Sequence, residues 1–266
     1  MKEIIMGNVK TNTICVSLQK GGVGKSTTVV CLATALAKKK KKVLIIDFDP
    51  QGNISLSIGI KPEDIEKTIY DVFVDKYSIK DVIIKTDYQV DLIPSNLSLA
   101  NFDMLVEHNR EEYTPAHWLK NAIADIKDNY DFIIIDCPPS LGWLTINCLS
   151  ATDGIIIPTP PEQFALSGLN DLLKTVKIVK DDYNPNVNIL GVLMTIFQAR
   201  TNLSSNVSQE IQKFCEQRNI HVFKTAIRRS VRIGEAQYVG QPPIIYSPTN
   251  DAVMDYISFT EEVLAL

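Results

Sequence analysis

The hydrophobic rhythm of this chain switches repeatedly between two periods. Short, largely apolar runs at 14–18, 43–46, 90–93, 132–135, 154–157 and 189–195 read as strands buried on both faces. Pro94 and Pro158 stop two of them. Between the runs, apolar residues return every three or four positions, as at Val30, Leu32, Ala33, Leu36 and Ala37. That spacing predicts helices at 27–37, 115–127, 144–149, 166–180, 203–217 and 252–264. Pro115 suits the first turn of its helix. Shorter helices are expected at 64–74 and 79–84, and a short strand at 221–223. Strand and helix alternating in this way predict an α/β fold, a doubly wound, mostly parallel sheet with helices on both faces.

No repeat, low-complexity linker or composition break divides the 266 residues. A single domain spanning 1–266 is expected, with a short lead at 1–13 and no separate helix-turn-helix domain. Hydrophobic residues make up 45% and charged residues 22%, the balance of a soluble globular chain. The formal charge of −4 gives no global attraction to nucleic acid or acidic lipid, so any such binding needs a local patch. Cys15, Cys31, Cys137, Cys148 and Cys215 form no C-x-x-C pair, which argues against a zinc or redox motif. Their odd count and the lack of a secretion signal point to a reducing cytosol. No apolar stretch is long enough to span a membrane.

The densest chemistry lies at Gln19-Lys20-Gly21-Gly22-Val23-Gly24-Lys25-Ser26-Thr27, between the first strand and the first helix. Glycines let successive amide N–H groups turn inward, and a helix N-terminus adds partial positive charge. Such a turn cradles phosphates. Lys25 can reach β- and γ-phosphates, and the Ser26 hydroxyl can ligate magnesium. The bland alternative is a glycine turn with two solvated lysines, but strand, loop, lysine, hydroxyl and helix fall in the order that phosphate binding needs. Two acidic segments also follow apolar strands, 47–53 (DFDPQGN) and 136–140 (DCPPS). The carboxyl ends of strands are where open α/β sheets bind ligands. Alone, either acid could be a strand-end cap.

The glycine loop departs from G-x-x-x-x-G-K-[ST] because Gln19 replaces the first glycine and Lys20 is added. KGGVGKST therefore resembles the deviant Walker A motif of the ParA/MinD superfamily of dimeric ATPases. DFDPQGN and DCPPS are similar to that family's DxDPQGN and DxPPS and narrow the likeness to ParA/Soj-like partition ATPases. The resemblance runs from about Ile14 to the C-terminus. It implies ATP and magnesium as cofactors, with Gly21, Gly22, Val23, Gly24, Lys25, Ser26 and Thr27 around the phosphates. Ser26, Asp47 and Asp136 would serve the magnesium site, with Asp136 holding the ion directly or through water and Asp47 supporting from behind. Asp49 would position the attacking water. Lys20 would reach across to the partner's nucleotide in a homodimer, so Lys20, Lys25 and Asp49 form the implied catalytic set.

Residues 161–169 (PEQFALSGL) resemble the family's PxExxALxGL, which implies that Glu162 lies near the dimer interface and approaches a ribose. A capping acid near a helix start is the alternative. Residues 241–246 are similar to the family's GKPIxxYDP, a resemblance that implies Pro242 lies near the base. Residues 195–204 (TIFQARTNLS) and 224–236 (KTAIRRSVRIGEA) resemble TMFDxRTNLS and KTxIPRNVRLSEA. Gln198 replaces the usual acid and Arg228 the usual proline. Arg200 and Arg232 match positions that contact DNA non-specifically in related proteins. Lys224, Arg228, Arg229 and Arg232 meet no acid in sequence until Glu235, which reads as a basic patch for phosphate backbones. A solvated cluster or intramolecular ion pairs would be the alternatives. The lysine run 38–42 reads as a solvated turn complementing a helix C-terminus, with a phosphate contact as the sharper alternative.

The function implied by the resemblance is a cycle. An ATP-sandwich homodimer binds double-stranded DNA without sequence preference, and hydrolysis stimulated by a ParB-like centromere-binding protein releases it. A plasmid or chromosome is segregated by a cytoplasmic, nucleoid-associated protein with no membrane partner. The alternative is a MinD-like membrane-associated positioning ATPase. That needs a basic amphipathic tail, whereas 251–266 contain Asp255, Glu261 and Glu262 and no lysine or arginine. An electron-transfer ATPase like the nitrogenase iron protein needs cluster cysteines, and Cys137 and Cys148 do not match that pattern. A non-catalytic nucleotide-dependent scaffold is the remaining rival.

Overall fold

The computed structural model describes residues 13–108, 114–198 and 202–266. In chain order its strands are β1 (Thr13–Val16), β2 (Val43–Asp47), β3 (Ile84–Lys85), β4 (Val90–Ile93), β5 (Phe132–Asp136), β6 (Gly154–Thr159) and β7 (Asn188–Met194). The helices are α1 (Lys25–Lys38), α2 (Asn53–Ser57), α3 (Ile69–Val74), α4 (Phe102–His108), α5 (Trp118–Ile123) and α6 (Trp143–Ala151). They continue with α7 (Ala165–Asp182), α8 (Asn202–Glu216), α9 (Val231–Tyr238), α10 (Pro243–Tyr246) and α11 (Asp251–Leu264).

The strands form one sheet in the order β3-β4-β2-β5-β1-β6-β7. All pairs are parallel except β3 with β4. Side chains alternate between two buried layers. Ile14, Val16, Val43, Ile45 and Ile134 face α1 and α11, where they meet Leu32, Leu36, Tyr256 and Phe259. Cys15, Leu44, Ile46, Ile133 and Ile135 face the other layer with Leu119, Cys148, Leu172 and Ile211. Burial on both faces is the physical reason the strand runs are apolar without alternation. The doubly wound, mostly parallel sheet expected from the pattern is therefore present.

Several boundaries differ. Only Ile69–Val74 of the helix expected at 64–74 forms, because the Asp71 carboxylate accepts the Thr68 backbone N–H at 2.6 Å and starts the helix there. The segment 79–84 is a 3₁₀ turn at Ile79–Val82 followed by the antiparallel edge strand β3. The helix expected at 115–127 is broken into 3₁₀ turns on either side of α5. At 221–223 a single parallel bridge, Val192 with Val222, replaces a strand. The helices α2, α4, α9 and α10 were not expected. With 5, 7, 8 and 4 residues they are too short for a 3.6-residue period to stand out. Among the described residues no helix is long and apolar enough to cross a membrane. The apolar side of α11 is consumed by packing on α1.

The parallel topology gathers the carboxyl ends of β1, β2 and β5 side by side. Gly52 fastens the loop after β2, at φ 63°, where an added Cβ would lie 2.9 Å from the Ser95 carbonyl oxygen. Gly52→Ala should therefore lower unfolding stability by more than about 1 kcal/mol, read as a shift in the urea midpoint. An unchanged midpoint would mean that this loop relaxes freely.

Candidate functional site

α1 begins on an open cradle. Gly24 caps it in the left-handed region at φ 88° with no side-chain cap, and its first turn carries no acid. The first intrahelical bond runs from Thr28 N–H to the Gly24 carbonyl at 2.9 Å. The N–H groups ahead of it are the helix's unpaired donors. A Cβ added at Gly21 or Gly22 would meet nothing within 4 Å, so the loop stands around open space. Its far side is anchored by Thr195, whose hydroxyl donates to the Val23 carbonyl at 2.8 Å. Lys25 is buried and donates to the Lys20 carbonyl at 3.0 Å. Burial lowers its pKa, against the opposing pull of Asp136 and Asp49.

Three acids face this loop. Asp47 and Asp136 are register partners at the ends of β2 and β5, and both are fully buried. Their surroundings differ. Asp47 accepts from Asp49 N–H at 3.1 Å with Oδ1 and from Ile54 N–H at 3.2 Å with Oδ2. Both of its oxygens thus hold the backbone that leads into α2, which makes Asp47 an organiser of the loop rather than a free ligand. Neither oxygen of Asp136 has a hydrogen-bond partner. Burial first, then the charge of Asp47, push the Asp136 carboxyl well above its usual range. The nearby Ser26 hydroxyl, which closes no hydrogen bond to it, and the Lys25 ammonium pull the other way. A buried unpaired carboxylate beside a hydroxyl and a lysine suits a hard divalent cation, which favours oxygen ligands and retains waters. Asp49 accepts from Gln51 N–H at 3.0 Å and keeps its side chain at the cleft wall.

The cleft has a volume of about 980 Å³. Residues from two distant segments close it. One is the glycine loop with Asp49. The other is the wall formed by Arg228, Arg229, Ile233, Gln237 and Tyr238. The Gln237 amide donates to the Thr27 hydroxyl at 3.0 Å. Sequence reasoning missed Gln237, Tyr238 and Ile233. Their segment forms α9, a helix of 8 residues too short for its period to show in the sequence, and no motif marks Gln237. Pro242 is buried at the start of α10 and does not line the cleft, so its expected approach to a base has no support in its position.

Lys20 and Glu162 meet at the cleft rim, Nζ to Oε2 at 2.9 Å, both partly exposed. Glu162 precedes α7 and its first partner is therefore a lysine of the glycine loop.

The basic segment is less bare than its sequence. Arg228 binds Asp255 through Nε at 2.9 Å and Nη2 at 2.8 Å, and pairs with Asp251 at 3.1 Å. Arg232 pairs with Glu235 at 2.7 Å. The expected patch with no acid before Glu235 is corrected here, because α11 folds back and supplies two acids from outside the segment. Lys224 and Arg229 are exposed at its edge. Arg200 lies outside the described residues. In the lysine run, Lys39 pairs with Glu261 and Lys38 donates to the Ile244 carbonyl at 3.1 Å, which ties that turn to the C-terminal helices. Cys15, Cys137 and Cys148 are buried behind Asp136, and the Cys15 and Cys137 sulfurs are 2.9 Å apart.

An AAA-domain family model matches residues 11–189. The chain is 43% identical over 254 residues to the sporulation initiation inhibitor protein Soj of Bacillus subtilis, covering 95% of this chain and 98% of that one. It is 36% identical over 253 residues to the chromosome partitioning protein ParA of Myxococcus xanthus, covering 94% and 87%. The chain belongs to the ParA/Soj family. Among solved structures, cobyrinic acid a,c-diamide synthase from Mycobacterium smegmatis, with bound ADP and magnesium, has a TM-score of 0.82 at 29% identity. That match covers 96% of this chain and 94% of the synthase. The ParA/Soj chain thus shares its fold with an enzyme of a different name, and its own glycine loop, acids and α9 wall must carry the functional argument.

The buried acids make a pH prediction. Burial raises Asp47 to about 7, and Asp136 is raised as well. The folded state therefore binds more protons than the unfolded chain, so this contribution is present at low pH and is lost as pH rises through about 7. Metal-free protein should lose stability as pH rises from about 4 to about 7 in urea titrations, and Asp47→Asn should flatten that slope. A slope of the opposite sign would show that both acids are ionised and compensated.

Proposed function

We propose that this chain is a magnesium-dependent ATPase of DNA partition, acting as one domain over residues 1–266. The observation that carries the reading is the unpartnered, buried Asp136 carboxylate beside Ser26 and Lys25, under a glycine cradle at the open N-terminus of α1. ATP is the substrate. Its phosphates would lie against the amides of Gly21 to Thr27, with Lys25 on the β- and γ-phosphates. Asp136 and Ser26 would hold magnesium, whose chemistry is to neutralise the phosphate charge. Asp47 keeps the loop after β2 in place, and Asp49 from that loop orients the attacking water. Phosphoryl transfer needs positioning and charge neutralisation more than covalent chemistry, and these parts supply both.

Lys20 is the transition-state cation given to the second copy in an ATP-dependent homodimer. Within one chain it rests on Glu162. A surface ion pair of this kind is worth about 0–1 kcal/mol, so it can break when a partner's triphosphate approaches. The ATP-loaded dimer binds double-stranded DNA without sequence preference through Lys224, Arg229 and Arg200, with Arg228 and Arg232 contributing less because acids already hold them. A ParB-like centromere-binding protein stimulates hydrolysis, and release from nucleoid DNA in the cytoplasm follows. The membrane-positioning alternative loses ground, since α11 is acidic and its apolar face is buried on α1.

Lys20→Ala should slow ATP turnover at least about tenfold and leave the ATP-loaded protein monomeric in sedimentation, since a cation supplied in trans carries much of the rate. An unchanged rate with an unchanged dimer would remove the sandwich. DNA binding should be measured with ATP, ADP and no nucleotide across a salt series. Tight binding is expected with ATP only. Arg229→Glu should weaken it and reduce the salt slope by about 1 or more, while Arg228→Gln should do less. Equal DNA affinity in all three nucleotide states would overturn the partition reading.

A further inference from the structure

Near its C-terminal end α9 is hydrogen-bonded to the glycine loop. The Gln237 carboxamide crosses the cleft and donates to Thr27 Oγ1 at 3.0 Å, joining positions 210 residues apart. Three residues on, at Gly240, the exit turn of α9 meets the exit turn of α2 backbone to backbone. A Cβ added at Gly240 would lie 2.9 Å from the Gly59 Cα, and one at Gly59 would lie 2.8 Å from the Gly240 carbonyl oxygen. α2 begins in the loop that Asp47 holds and Asp49 occupies. The N-terminal end of α9 is fixed differently. Ser230 caps it, Arg228 is clamped to α11, and Phe197 bridges to Arg228. The helix therefore spans from the nucleotide cradle to the arginine-bearing surface.

The Thr27 hydroxyl has one proton to donate and two lone pairs. Gln237 fills one lone pair, which leaves the O–H proton free to point into the cradle. An anion accepting that proton polarises the hydroxyl and strengthens the bond from Gln237. Filling the cradle thus tightens α9 onto α1, whereas an empty cradle leaves a single neutral hydrogen bond.

We propose that Gln237 is a positioning residue that couples occupancy of the phosphate cradle to the setting of α9 and of the arginines beside it. The inference rests on the partition reading above for its consequence, DNA affinity that follows nucleotide state. The linkage itself stands on the cleft geometry and can be tested apart from DNA.

The test uses the full chain, wild type and Gln237→Met, which keeps length and removes the donor. Gln237→Leu serves as a second variant, and circular dichroism confirms the fold of each. Hydrogen exchange of amides 231–240 is measured without nucleotide and with a saturating non-hydrolysable ATP analogue. Wild type should show slowed exchange with the analogue, and both variants should not. DNA affinity at saturating ATP and saturating ADP should then show the ATP-over-ADP ratio falling about fivefold or more in the variants. Protection of α9 that is absent in wild type, or equal in variant and wild type, overturns the proposal. Wild-type protein that binds DNA in no nucleotide state overturns the partition reading instead, and the exchange result still decides the role of Gln237.

Discussion

Asp136 and Asp47 lie opposite one another on neighbouring strands, fully buried, and the cleft is organised around that pair of carboxyl groups. Two carboxylates this close cannot both ionise in a dry interior without compensation. The fold compensates one of them with two backbone N–H groups and leaves the other with none. The asymmetry assigns the roles. The satisfied acid builds a loop, and the other is left without a hydrogen-bond partner, which on the proposed reading suits it to a cation. Lys25 adds part of that charge but donates its hydrogen bond to a backbone carbonyl, so it is held ready rather than spent on Asp136.

Placing this charge at strand ends follows from the sheet order. β5 inserts between β2 and β1, which brings the glycine loop, the DFD segment and Asp136 onto adjacent strands although they are far apart in sequence. Each strand is buried on both sides, so its last residue is a sharp transition from apolar core to polar cleft. A single register slip would turn Asp136 into the Cys15–Cys148 layer and replace an acid facing a cradle with an acid facing hydrocarbon. The Phe48, Phe73, Phe102 and Trp118 cluster stiffens the layer beneath the DFD loop, with ring centroids 5.3–6.1 Å apart. Phe48 sits between the two acids of that loop, so core packing and acid position are set by the same three residues.

Much of this was legible from the chain. The parallel sheet follows from six apolar runs, because only burial on both faces tolerates runs such as Phe132–Asp136. The glycine loop and the two acid-tipped strands are local signals, and they point to one cleft. What was not legible depends on partners distant in sequence. The likeness of DFDPQGN to a motif cannot say which acid has free oxygens, since that is decided by where the Ile54 N–H falls. Arg228 reads as part of a bare basic stretch until α11 returns with Asp251 and Asp255. Pro242 reads as a base contact, and the fold places it buried at the start of α10, off the cleft wall. Gln237 carries no motif, and only the fold brings it to Thr27.

The arginine segment shows how this matters for binding. A basic run in sequence is a charge inventory, but affinity for phosphate depends on which cations are free to exchange a counterion for a phosphate oxygen. Arg228 makes a bidentate pair with Asp255, so moving it to DNA leaves Asp255, only 14% exposed, without its cationic partner and with the Arg228 backbone N–H at 3.0 Å. Arg232 is held by an i,i+3 acid on its own exposed helix, a weaker tie. The effective patch is therefore narrower than the run and shifted towards Arg229 and Lys224. Such a patch is weak in one copy, since each phosphate contact adds little alone. Two copies on one duplex act as a bivalent binder, whose second contact is intramolecular and whose affinity rises without any new residue. On the partition reading, with Lys224 and Arg229 the exposed cations of this segment and a net charge of −4, duplex affinity would come mainly from the dimer. Switching the dimer with nucleotide would then switch the DNA contact with it.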